Sequence, residues 1–299
     1  MIAPDRPSMR ADRMERAAAV RWVICAVLVC AFAPGAAAGD LFVLRGPQPT
    51  FQWGGVYFGG QVGYSSSNVN FSSAAGPDIS YILRNTTIEA DEGLSNWAVL
   101  PPVTSTGSVA LGGFVGYNTQ WDDVVLGMEA NYNRVSLTAS SSGIEERSFV
   151  DSKNIPAGHH YFYDATVAAQ AAMQMTDIAS FRARAGLAYG NLLPYGFFGL
   201  ALGRANLSNS ATVAYTAKDY PDPTTPPTTP LPDLDFGPVS QGVSQDSTYL
   251  YGVAMGFGTD IGLTPNLFVR GELEYDYFFP TDGIHVTVAS ARVGAGVKF

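Results

Sequence analysis

The sequence predicts an all-β fold: a transmembrane antiparallel up-and-down β-barrel of eight strands with long extracellular loops. Three observations carry that prediction. The last nine residues alternate strictly, with Val297, Ala295, Val293 and Ala291 apolar and Lys298, Gly296, Gly294 and Arg292 polar or small. Successive side chains on a strand point to opposite faces, so this is a strand with one apolar and one wet face. The amino-terminus reads as an export signal. Finally, no run after Ala38 offers the roughly 18 apolar residues of a helical span, although 46% of the chain is hydrophobic. An exported, apolar chain without such a run points to the other membrane-spanning solution, a closed barrel.

Residues 1–38 read as a signal peptide. Arg10, Arg13, Arg16 and Arg21 precede the apolar run Trp22–Ala33, and Ala36–Ala38 supply small residues before a cleavage point. Both cysteines, Cys25 and Cys30, fall inside it, so the mature chain has no thiol for disulfides, metal or catalysis. A lipoprotein reading of Cys30 fails because bulky Val27-Leu28-Val29 precedes it. Removing the signal leaves 12 basic against 23 acidic residues, which argues against nucleic acid as a partner. Residues 39–52 form a short periplasmic segment, and 53–299 the barrel.

Eight segments have the roughly 9–11 residues that cross a bilayer at a tilt. Val56–Tyr64 carries its apolar side chains at even positions. Val109–Thr119 sets Val109, Leu111, Val115 and Tyr117 against Ala110, Gly112, Gly116 and Asn118. Val124–Val135 sets Leu126, Met128, Ala130 and Tyr132 against Gly127, Glu129, Asn131 and Asn133. Ile178–Tyr189 opposes Phe181, Ala183, Ala185 and Leu187 to Arg182, Arg184 and Gly186. In Tyr195–Arg204, Phe198, Leu200 and Leu202 face outward. Tyr249–Ile261 places Tyr251, Val253, Met255 and Phe257 outward against Gly252 to Asp260. Leu267–Tyr277 opposes Leu267, Val269, Leu273 and Tyr275 to Arg270, Glu272, Glu274 and Asp276. The strand ending at Phe299 is the eighth.

The connections alternate short and long. Trp121-Asp-Asp, Gly190–Pro194 and Gly262–Asn266 are turn formers. Residues 71–107, 136–177 and 205–248 are long and polar, and Pro221–Pro232 reads as an extended exposed loop. Short periplasmic turns and long outer loops are the pattern of bacterial barrels. Ser80–Ile88 and Ala211–Thr216 read as hairpin extensions above the membrane, with a ten-stranded barrel as the alternative.

Several motifs carry a family resemblance. Trp53–Tyr64, Gly112–Gln120, Gly127–Ala130, Arg182–Ala188, Gly256–Asp260, Thr264–Asn266 and Val269–Tyr275 occur in order. Together they resemble the outer membrane immunogenic protein family, the opacity-type eight-stranded barrels of alphaproteobacteria. The terminal Phe299, with Val297 and Val293 on its face, looks like the membrane-insertion signal of such barrels. Three positions depart from the family pattern: Asp260 replaces the usual Glu, Leu267 the usual Trp, and Val297 the usual Tyr. The resemblance covers residues 53–299, fails in the outer loops, and implies a Gram-negative outer-membrane location with a structural or porin-like role. The partners it implies are outer-membrane lipid and lipopolysaccharide, the barrel-assembly machinery, and a ligand of unassigned identity at the outer loops.

One constellation stands out. Alternation places Glu129, Arg182, Arg184, Asp260, Arg270, Glu272, Glu274 and Arg292 on the lumen side, since an Arg facing lipid at mid-membrane costs about 2–4 kcal/mol. Four arginines against four acids suit a paired network, and eight strands leave an interior that side chains just fill. A charged constriction that selects ions is the competing reading. Elsewhere, His159-His160 lacks a spaced third ligand, and Ser290 lies on the face opposite His285, which argues against a dyad. The glycine clusters at 59–60, 112–113 and 252–258 lack a following Lys at a helix start, so they make room for bulky lumen neighbours such as Arg182 and Arg270. Trp53, Trp121, Tyr57, Tyr64, Tyr117, Tyr189, Tyr275 and Tyr277 suit interfacial girdles. Trp97 is either a loop-packing anchor or a binding contact. Neither cofactor, metal nor enzymatic activity is expected. The expected role is envelope integrity and surface presentation, with a narrow porin and a loop-acting adhesin or receptor as alternatives.

Overall fold

The computed structural model describes residues 51–299 except 98, 106, 152, 154–157 and 221–228. The signal segment 1–38 and residues 39–50 lie outside the described residues. Eight long strands follow one another: β1 Gly55–Asn70, β2 Ser108–Trp121, β3 Val124–Asp151, β4 Tyr161–Leu187, β5 Leu192–Asp219, β6 Leu234–Thr264, β7 Leu267–Thr281 and β8 Ile284–Lys298. Each pairs antiparallel with the next, and β1 pairs with β8 in a continuous register from Tyr57↔Lys298 to Asn70↔His285. That pairing closes the sheet. Closure matters because no water is available in hydrocarbon to satisfy an open edge.

The alternation in the sequence becomes two faces. Val56, Phe58, Val62, Leu111, Val115, Phe181, Leu200, Phe257 and Val293 stand exposed on the outside, where lipid solvates them. Tyr64, Tyr132, Tyr249, Tyr251, Tyr275 and Tyr277 mark the outer end of this apolar band, and Tyr117, Trp121 and Tyr189 the inner end. At the inner end the strands join tightly. Asp122 and Gly190 take left-handed backbone there, with φ of 51° and 63°.

Two stretches expected to be loops are strand instead. β3 and β4 run through most of 136–177, and β5 and β6 through most of 205–248, so these two outer connections shrink to their tips. The physical reason is that the alternation persists above the membrane with less contrast. Ala165, Val167, Ala169, Ala171 and Met173 point inward from β4, while Thr166, Gln170 and Gln174 point outward to water rather than lipid. Ala211–Thr216 is part of β5. A bulge at Thr176, between Met175 and Asp177, switches β4 from odd to even inward positions just where the outer band ends.

The first outer connection, 71–107, is a folded insert. Ser80–Ile88, which reads as a strand in the sequence, falls instead on two short helices, α1 Gly76–Ile82 and α2 Thr87–Glu92, and the turn between them. Ile79, Leu83, Ile88, Leu94, Trp97 and Leu100 pack with Leu137, Val167, Met173, Met175, Leu207 and Val213 in one apolar cluster inside the outer barrel. Three contacts fasten it: Asn209 Nδ2 donates to the Ala74 carbonyl at 2.9 Å, Ser141 Oγ to the Pro101 carbonyl at 2.8 Å, and Asn68 pairs with Thr104. Trp97 is a packing anchor, buried with the Arg147 guanidinium 4.5 Å from its ring.

Burial of this insert predicts its protease behaviour. Arg84 is exposed at its surface, yet cleavage requires the backbone around it to open. Trypsin should therefore leave the folded protein intact at Arg84. Ile79→Asp, which buries a charge among apolar groups, should speed that cut roughly tenfold or more. Equal cleavage of the folded and urea-unfolded protein at Arg84 would contradict the packing.

Candidate functional site

Climbing β1 from the short-turn end, the inward residues are Tyr57, Gly59, Gln61, Gly63, Ser65, Ser67 and Val69. They pass through four layers. At the base Phe51, Trp53, Tyr57, Phe114, Tyr195, Phe197 and Phe268 form an aromatic cluster. Above it lies an ionic layer, then amides and hydroxyls, then the apolar insert. Trp53 and Tyr57, read from the sequence as girdle residues, are inside: their side chains are 2% and 1% exposed. The reason is parity, since Tyr57 sits one residue out of phase with the outward Val56 and Phe58.

All eight charged residues singled out in the sequence lie in the ionic layer, none more than 5% exposed. Cross-strand register brings them together, because Glu129 faces Arg182, Asp260 faces Arg270, and Glu272 faces Arg292. Arg182 is the centre. Its guanidinium meets Glu129 Oε1 at 2.5 Å, grips Glu272 with two bonds of 2.7 and 2.6 Å, and also pairs with Glu274. Glu129 Oε2 accepts from Arg270 at 2.8 Å, Arg184 at 3.2 Å and the Tyr57 hydroxyl at 2.8 Å. Asp260 binds Arg184 at 2.6 Å and Arg270 at 2.8 Å. Arg292 joins Glu272 at 2.6 Å and also pairs with Glu274. Aromatic faces complete the shell: Arg184 lies 3.7 Å from the Tyr195 ring centre, and Arg182 and Arg270 each 4.0 Å from those of Phe197 and Phe114.

Glycine makes this density possible. Gly199 faces Arg182 across β4 and β5, and a Cβ placed there would stand 2.5 Å from the Arg182 Cα. Gly256 faces Glu274, and its Cβ would meet the Phe197 ring at 2.5 Å. These positions accept no side chain without displacing the adjacent strand or ring.

Sequence reasoning passed over several members. Tyr57 and Tyr195 donate to Glu129 and Glu272, and Gln61 Nε2 donates to Asn131 and Asn133 at 2.8 and 2.6 Å. Asp276, in phase with Glu274, is 1% exposed and adds a fifth acid beside the four arginines. Its parity was a usable signal. The other candidates separate. His285 faces outward, while Ser290 is buried with its hydroxyl 2.8 Å from that of Ser65, so the two do not meet. His159 is buried at the outer rim with Nδ1 2.7 Å from Asp219, and the His160 backbone hydrogen-bonds the same carboxylate. Among the described residues there is no group of three or more metal-ligating side chains. Phe299 is exposed, stacks at 5.7 Å on Phe58, and shares the outer face with Val293.

Removing one partner from a buried ionic network leaves an uncompensated charge and costs about 3–5 kcal/mol. Arg182→Met should lower unfolding stability by that order in a urea titration, read as loss of the heat-modifiable electrophoretic form. Adding Glu274→Gln should restore part of it. An Arg182→Met protein as stable as the parent would show the network to be energetically idle.

Three solved structures share the general form at low similarity. Ail, the attachment invasion locus protein of Yersinia pestis, is 15% identical, with a TM-score of 0.30, covering 82% of this chain and 99% of that one. Neisserial surface protein A is 12% identical, with a TM-score of 0.32, covering 81% and 97%. The amino-terminal barrel domain of Pseudomonas aeruginosa OprF is 13% identical, with a TM-score of 0.26, covering 80% and 97%. No curated protein matches the sequence. The outer membrane protein beta-barrel domain, in contrast, matches residues 23–299, nearly the whole chain. With its closed antiparallel sheet and lipid-facing exterior, the chain belongs to that family and is a porin-like barrel of the Gram-negative outer membrane.

Proposed function

We propose that this barrel is a filled structural element of the outer membrane that strengthens the envelope and presents its tall outer strands at the cell surface. The observation that carries this reading is the occupied interior. Aromatic, ionic and apolar layers follow one another from the inner turns to the outer insert. An eight-stranded cylinder has room for side chains and little else, so a conducting path would need the paired ions to part. The ordered motifs from Trp53 to Tyr275 further support placing it among the opacity-type barrels. Folding by the barrel-assembly machinery belongs to the same proposal, with Phe299, Val297 and Val293 as the recognised face.

A second reading, surface recognition through the rim, draws on β6. Residues 234–248 of that strand are largely exposed on both faces, unlike the inward-packed β4 beside the insert. A partner could pair its surface with this ribbon without disturbing the membrane-embedded half.

Planar-bilayer recording of the purified, refolded protein tests the filled lumen. The expected trace is flat. Reproducible single-channel steps, abolished by heat denaturation, would replace this reading with that of a narrow porin.

A further inference from the structure

The exterior of the barrel carries a second charged arrangement, unrelated to the lumen. At the outer end of the apolar band, hydrogen-bonded register aligns Leu111, Arg134, Asp177, Arg204 and Tyr249 in one row across β2 to β6. Arg134 and Arg204 project outward on either side of Asp177. The acid is already engaged, accepting from the Tyr132 hydroxyl at 2.5 Å and from Thr176 Oγ1 at 2.6 Å. Arg204 donates to Ser247 Oγ at 2.7 Å, and both guanidinium groups attract the Asp177 carboxylate between them. Two bases against one committed acid leave a net positive spot facing lipid headgroups.

Directly inward of this row lies an apolar groove. The next row on the same face is Gly113, Tyr132, Ala179, Leu202 and Tyr251, and the one after it Val115, Ala130, Phe181, Leu200 and Val253. Gly113, Ala130 and Ala179 leave a hollow of about 790 Å3 on the lipid side, walled by residues such as Tyr132, Phe181 and Leu202. Rows on one face are two residues apart, so the Cα atoms of the two arginines lie roughly 7 Å beyond the Tyr132–Leu202 row that walls the hollow.

We propose that this face binds one lipid A moiety of lipopolysaccharide, an acyl chain in the groove and a glucosamine phosphate between Arg134 and Arg204. The side is fixed by topology, because both arginines lie at the long-connection end of the strands, in the leaflet that holds lipopolysaccharide. Guanidinium forks match phosphate geometry, and their charge is tolerated at the headgroup level. The proposal rests on the outer-membrane location and not on the filled lumen, so a conducting barrel would leave it standing.

Binding of fluorescent lipid A to the detergent-folded protein tests it, with dephosphorylated lipid A and phosphatidylglycerol as comparisons. The parent protein should prefer phosphorylated lipid A at least tenfold over both. Arg134→Ala with Arg204→Ala should remove that preference, and Ala130→Leu with Ala179→Leu should weaken phosphorylated and dephosphorylated lipid A alike. Lys218→Ala, higher on the outer wall, should change nothing. Each variant is checked for heat-modifiable migration, and if an arginine variant fails to fold, the three-lipid comparison on the parent still decides. Binding indifferent to the phosphates, equal affinity for phosphatidylglycerol, or an undiminished arginine double variant would each overturn the site.

Discussion

Closure of the sheet between β1 and β8 is the constraint from which the rest follows. In hydrocarbon an unpaired backbone amide has no water to turn to, so the sheet must return to its own first strand. Closing it with eight strands fixes a narrow cylinder. An interior of that width is one that side chains can just fill. The outward alternation supplies lipid contact, and the inward alternation must supply filling. Arginine and glutamate fill that space here because opposite charges arrive in register across adjacent strands, with glycine facing the longest of them.

An ionic filling is not the most stabilising choice in principle. Taking charges out of water costs several kcal/mol each, and a well-packed apolar core often does as well or better. What pairing adds is mutual dependence: Arg182 touches acids from β3 and β7, Arg270 and Arg184 converge on Asp260 of β6, and Tyr57 and Tyr195 draw in β1 and β5. A register slip of one residue would turn Arg182 or Glu272 toward lipid, so the network specifies the pairing it stabilises. Above it, where the wall meets water on the outside, apolar packing of the insert takes over the same task.

Much of this was legible. Parity alone put the eight charges on one side and the membrane-facing valines, leucines and aromatics on the other, and the short turns fell where turn-forming residues cluster. Tyr57 is ambiguous by type, because an aromatic near a strand end suits both girdle and lumen, and only its odd position marks it as inward. Trp53 precedes β1 and has no phase to read. The tall outer strands were hidden for a different reason. Above the lipid, contrast between faces drops from Phe and Val against Arg to Ala against Thr or Ser, and hydropathy no longer marks the pleat. The helical insert was illegible because helices of 7 and 6 residues give too few turns to establish a period, and their partners lie on distant strands.

The length of β5 has a consequence for what the cell surface sees. Fifteen residues, 205–219, lie beyond Arg204. At about 3.3 Å per residue and a tilt near 40°, they would lift the rim roughly 40 Å above the headgroups. A wall of that height, built by the long strands β3 to β6, would hold its tips clear of the inner sugars of the surrounding glycolipid. Antibodies, phage or host molecules would then meet this protein before they meet the lipid it stands in.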